Sequence, residues 1–210
     1  MSLWNKMCFP KVLVIDNSTM DFFIPNEQER RLGVSVINNH NYRLTKNWGI
    51  GQVSKNHCNS LDYALRKVST DWAIICDNDI LFNNRIIELC NVLQQSRVDI
   101  IGEIGYDAVK PARLFPYLCA IRVSAIKCAK ISYFDPKRCM IPGVDETGKK
   151  CNLYDTGYSF YQDALRAGLK IQRIKLNDYC VHYLHASQTS NKIRIPLYDW
   201  VETHRELLEF

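Results

Sequence analysis

The first hundred residues alternate short apolar runs with amphipathic ones, and no other feature limits the fold of this chain as strongly. Residues 11–15 are rich in β-branched side chains and stop at Asp16-Asn17-Ser18-Thr19, as a buried strand opening into a loop would. Residues 26–32 are short and charged, enough for a brief helix, and residues 33–39 read as a second strand that also runs into polar residues. A longer helix follows. Ser54 is a fair N-cap for it, and His57, Leu61, Ala64, Leu65 and Val68 fall roughly on one face. A strand over 72–76, an amphipathic helix over 83–97 and a strand over 99–102 complete the half. Strand, helix, strand in this order predicts an α/β fold with a mostly parallel central sheet flanked by helices.

Open sheets of this kind bind ligands at the carboxyl ends of their strands. The run Trp72-Ala73-Ile74-Ile75-Cys76 ends abruptly in Asp77-Asn78-Asp79. Hard divalent cations favour carboxylate oxygens, and Mg²⁺ or Mn²⁺ commonly takes one or two from protein and the rest from water and phosphate. Asp77 and Asp79 therefore form a candidate metal–diphosphate clamp; the other reading of the triplet is a polar turn. Asp16 stands in the same relation to the first strand, with an Asx turn as its alternative. Lys55 and Asn56 are expected in the first turn of the long helix, where free backbone amides favour an anion. A solvated lysine on an exposed face is the alternative there.

The second half is less regular. Residues 105–116 hold two prolines and read as loop, 117–122 as a strand and 124–131 as a helix. Residues 134–150 read as irregular, with Pro142-Gly143 and Thr147-Gly148 as turn signals, and are a candidate mobile lid. A helix opens after residues 152–157, with Asp155 or Thr156 as its N-cap, and Gly168 closes it. After a strand over 169–174 comes an apolar segment, 179–185, that carries His182 and His185. These are candidate metal ligands, each with a core histidine as the alternative. An amphipathic helix is expected over 196–210. Arg113, Lys110 and Arg122 lie where they could meet a diphosphate or an acceptor, or simply solvent.

The charge balance of +5 is a mild excess that suits a phosphate-bearing ligand, with no Lys/Arg block dense enough to argue for nucleic acid. Nine cysteines, an odd number without a CxxC, read as buried thiols in a reducing compartment, Cys76 among them. No signal-peptide pattern and no membrane-length apolar run is present, so a cytoplasmic location is expected.

Taken in order, these motifs resemble the GT-A glycosyltransferases, especially the family-2-like group. The residues carrying the likeness are Asp16-Asn17-Ser18, Asn47-Trp48-Gly49 with Lys55-Asn56, Asp77-Asn78-Asp79, Asp155 ahead of Ala164-Leu165-Arg166-Ala167-Gly168-Leu169-Lys170, and His182 or His185. They span about residues 11 to 190. As a stand-alone chain it also looks like the minimal GT-A proteins of large algal DNA viruses, which would put it in the host cytoplasm.

The resemblance implies one GT-A-like domain over 1–210, with a nucleotide-sugar half at 1–103 and an acceptor and catalytic half at 104–210. It implies a metal-dependent transferase moving a sugar from a nucleotide-diphosphate sugar, UDP-linked for choice, to a hydroxyl of a glycan or other acceptor, with inversion. By this likeness Asp16, Asn17, Ser18, Asn38, Asn47, Gly49, Lys55, Asp77 and Asn78 would face the donor. Asp79, with Asp77, His182 and His185, would hold Mn²⁺ or Mg²⁺, and Asp155 would be the general base. Two departures stand out. The acidic pair usual before the late helix is Tyr154-Asp155 here, and the usual Pro-x-Tyr-Asn of the first strand is absent. A sugar-phosphate nucleotidyltransferase and a non-catalytic nucleotide- or carbohydrate-binding module are the rival readings. The first lacks the glycine-rich basic loop that a triphosphate would need.

Overall fold

The computed structural model describes residues 12–16, 24–31, 33–39, 50–77, 79–95, 97–107, 110–144, 150–153, 155–183 and 197–207. Strand β1 (Val12–Asp16) is followed by helix α1 (Glu27–Arg31), strand β2 (Val34–Asn38) and the long helix α2 (Ile50–Lys67). Next come β3 (Trp72–Cys76), β4 (Ile80–Phe82), α3 (Ile86–Gln95), β5 (Ile100–Asp107) and β6 (Lys110–Arg122). Helix α4 (Val123–Ala129), β7 (Ile141–Val144), β8 (Lys150–Leu153), α5 (Tyr158–Arg166), β9 (Ile171–Arg173), β10 (Cys180–His182) and α6 (Leu197–Thr203) complete the order. The fold is mixed α/β. Among the described residues no helix is long and apolar enough to cross a membrane.

The central sheet has the order β3-β6-β5-β9. It is not mostly parallel. The β3–β6 and β5–β6 pairings are antiparallel and only β5–β9 is parallel, while β1 and β2 form a separate parallel pair. The cause is β6. Gap residues 108–109 are too few for a crossover, so β6 must turn straight back along β5 before lying against β3. Within the expected loop over 105–116, the described residues 105–107 and 110–116 are therefore strand. Pro116 is accommodated by a bulge: Gly102 pairs with Cys119 and Ile104 with Leu114, so residue 103 faces the four residues 115–118. Pro116 sits in that bulge, where a missing amide costs no ladder bond.

Alternation along the sheet separates two cores. Ile75, Ile100, Cys119 and Ile121 face one layer with Leu65, Ile126 and Phe160, while Ile101, Leu118 and Ala120 face the other with Ile86, Leu89 and Leu93. Helices α2, α4 and α5 thus cover one face and α3 the other, which explains why β3 is apolar throughout. The rings of Phe134 and Phe160, both fully buried, stack at 5.0 Å. The stretch expected to be irregular, 134–150, contains a 3₁₀ turn at Pro136–Arg138 and the strand β7, which pairs antiparallel with β8. Cys58, Cys90, Cys119, Cys139 and Cys180 are buried free thiols, but Cys76, last in β3, is exposed.

Candidate metal centre

Strand β3 ends at Cys76 and its ladder with β6 carries on for one more bond, from the Asp77 amide to the Tyr117 carbonyl at 3.0 Å. The bulge over 115–118 is what allows β6 to reach this far. It holds the Asp77 backbone at the carboxyl end of the sheet. Three residues later β4 begins and pairs antiparallel with β10, with Ile80 opposite His182, and the Tyr183 amide donates to the Asp79 carbonyl at 2.7 Å. That register brings the last strand's histidine beside the second aspartate.

The result is a cluster of Asp77, Asp79 and His182 whose ligand-type atoms lie within 4.8 Å of one another, all half-buried. His182 Nε2 is 3.2 Å from Asp79 Oδ1. The Tyr117 ring packs on His182 at a centroid distance of 5.0 Å. Asp79 beside it raises the His182 pKa above the ordinary imidazole value, against the opposing effect of burial. Burial pushes the Tyr117 phenol up to about 12. Two carboxylates this close repel by roughly 1–4 kcal/mol, depending on how much water screens them. A divalent cation would remove that repulsion, and two carboxylates with an imidazole suit Mn²⁺ or a similar ion. The donor set fits such a group.

The other expected site residues divide into four groups. Asp16 and Asn38 are register partners at the ends of β1 and β2, so two polar side chains share one carboxyl edge. Asp16 is buried, and the buried Asn38 Oδ1 has no hydrogen-bond partner among the described residues. Asn17, Ser18, Asn47, Gly49, Asn78 and His185 lie outside the described residues. Lys55 is not in a first helical turn: α2 begins at Ile50, which puts Ser54 inside the helix rather than at its cap. The amides of the first turn have no helical partner in any case, so Gly51 there interrupts nothing.

Asp155, before α5, is not one of the clustered ligands. Neither it nor Thr156 is the N-cap; that position is Gly157, in the left-handed region at φ 89°. The Asp155 side chain turns away instead. Its Oδ2 pairs with Arg113 Nη1 at 2.6 Å and its Oδ1 accepts from the Thr156 amide at 2.7 Å. Arg113 also donates to the Thr156 carbonyl and lies 4.9 Å over the Phe115 ring. The Thr156 hydroxyl donates to the Ser54 carbonyl of α2 at 3.2 Å, which ties this corner to the long helix. At the far end of α5, Gly168 closes the helix as expected: its amide bonds to Leu165 and that of Leu169 to Ala164, the Schellman pattern.

Two site neighbours were not legible as such. His57, assigned by periodicity to an apolar helix face, has its Nε2 3.4 Å from Asp77 Oδ1. Cys58 and Cys139 are hydrogen-bond partners beside Thr156; the bond holds Cys58 above the usual thiol range and Cys139 below it. No pattern in the sequence couples residues 58 and 139. No protein-family model matches the chain, and no curated protein matches it.

Proposed function

We propose that this protein is a metal-dependent glycosyltransferase that uses a nucleotide-diphosphate sugar, with a UDP-sugar as the first donor to test. The observation that carries the reading is the meeting of Asp77, Asp79 and His182 at the carboxyl end of β3. When a divalent cation is bound there, it supplies charge neutralisation for a leaving diphosphate. Asp16 and Asn38 offer a carboxylate and an amide oxygen to the N–H and O–H groups of a nucleoside. Asp155 takes the proton of the acceptor hydroxyl as that oxygen bonds to the anomeric carbon. The bond from this carbon to the diphosphate breaks in the same step, and the nucleotide diphosphate leaves. Asp155 does so while one oxygen holds Arg113 and the other accepts from the Thr156 amide, which leaves one acceptor site on each oxygen for the incoming hydroxyl.

That engagement favours, as a second reading, a nucleotide-sugar-binding module without turnover. Incubation with a panel of nucleotide-sugars, Mn²⁺ and simple sugar acceptors, followed by chromatography of released nucleotide diphosphate, separates the two. The transferase reading predicts release by the native protein that is lost in Asp155→Asn, with donor binding retained. Donor binding without release from any donor by the native protein favours the module.

A further inference from the structure

The Asp77–Asp79–His182 cluster draws its residues from β3 and β10, but a second imidazole approaches it from α2. His57 Nε2 lies 3.4 Å from Asp77 Oδ1, and His182 Nε2 lies 3.2 Å from Asp79 Oδ1. Each carboxylate therefore has its own imidazole, one from α2 and one from β10. Both members of the His57–Asp77 couple keep about a third of their side-chain surface exposed, 31% each, so the couple reaches solvent rather than lying in the core.

The helix that carries His57 is not free to drift. Cys58, the next residue, is buried in the core under the sheet, and the Ser54 carbonyl one turn earlier accepts from Thr156. The backbone on both sides of His57 is thus fixed against two other elements. Its ring sits at the edge of the buried face, where the nearest acid is Asp77.

We propose that His57 is the fourth member of this metal centre, fixing Asp77 as an outer partner or binding the cation directly, and that the two imidazoles bias the site toward Mn²⁺ over Mg²⁺. Carboxylates suit Mn²⁺ and Mg²⁺ alike, whereas imidazole suits transition-metal ions and not Mg²⁺, so each imidazole added to the carboxylates shifts the preference toward Mn²⁺. Partners that hold a ligating carboxylate or imidazole typically change metal affinity by 10–100-fold when removed. This inference rests on the divalent-metal reading of the Asp77–Asp79–His182 cluster and not on sugar transfer.

A purely structural His57 makes the opposite prediction. If it only pairs with Asp77 as a cation, it competes with the metal for that carboxylate, and its removal leaves Mn²⁺ affinity unchanged or raises it. The two cases are separated by titrating the full chain with Mn²⁺ alone, free of nucleotide, and following the free-ion signal by electron paramagnetic resonance. His57→Ala and His57→Gln are compared with the native protein, and circular dichroism melts confirm that each is folded. Calorimetry with Mg²⁺ supplies the selectivity.

The proposal expects a loss in Mn²⁺ affinity of about 10-fold or more in His57→Ala, a smaller loss in His57→Gln, which keeps a polar group near Asp77, and less effect on Mg²⁺ than on Mn²⁺. Unchanged or tighter Mn²⁺ binding in folded His57→Ala overturns it while leaving the proposed activity standing. Equal losses for both metals overturn the selectivity. A native protein that binds no Mn²⁺ overturns the metal centre itself, and failure of donor turnover with His57-dependent Mn²⁺ binding would sink only the transferase reading.

Discussion

Replacing Gly157 by alanine should destabilise the protein, and the structure contains its own control. Gly157 has φ 89° and Gly168 has φ 71°, so an L side chain is strained at both. At Gly168 nothing lies within 4 Å of an added Cβ, and Gly168→Ala should cost about 1 kcal/mol from the left-handed backbone alone. At Gly157 the added Cβ would stand 2.0 Å from the Leu114 carbonyl oxygen and 3.1 Å from its carbon. That atom belongs to β6, inside the central sheet, and cannot swing away as a side-chain tip could. The strand or the 155–157 turn must open by about 1 Å to restore a normal contact, and overpacking of this kind typically costs about 1–3 kcal/mol. Gly157→Ala should therefore lose about 2–4 kcal/mol. Guanidinium unfolding of both variants, followed by circular dichroism, measures the difference. Equal destabilisation within about 0.5 kcal/mol would refute the claim that the turn is held against β6 by the absence of a side chain.

The remaining predictions concern charge. The Arg113–Asp155 pair, with about a fifth of each side chain exposed, should show a coupling of about 1–3 kcal/mol in a double-mutant cycle of Arg113→Gln and Asp155→Asn; additive losses would show that the two do not act together. The His182 pKa is raised by Asp79 in the metal-free protein, so its contribution to stability is full below the unfolded value of about 6.5 and is lost as pH rises through the higher folded value. Metal-free unfolding midpoints should fall over that interval, and Asp79→Asn should flatten the fall; an identical profile in the variant would contradict the assignment.

The parts of this molecule that could be read from its sequence are those set by neighbouring residues. β1, β2 and β3 each announce themselves as an apolar run ending in polar residues, and Asp77 and Asp79 follow from the end of β3. Gly168 is legible because a helix stop needs a left-handed residue. Long-range pairing is what local pattern cannot supply. Pro111 and Pro116 signal a loop by every local rule, yet β6 runs through both because a bulge takes up Pro116 and the sheet needs a strand between β3 and β5. That one insertion turns the expected parallel order into a mixed one. His57 was assigned to an apolar stripe because helical spacing cannot tell a core position from the rim beside it. Asp155 looked like a helix cap until Arg113, forty-two residues earlier, drew its carboxylate away.

The central claim is that Asp77, Asp79 and His182 hold a metal against a nucleotide diphosphate, and calorimetric binding tests it most directly. Native protein and Asp79→Ala are titrated with a small panel of nucleotide-sugars, with Mn²⁺ and without it. The account predicts that one donor binds the native protein only with Mn²⁺ and that Asp79→Ala, still folded, loses this binding. If no donor binds the native protein under either condition, the account is contradicted, and Asp77 and Asp79 are only the polar turn after a strand.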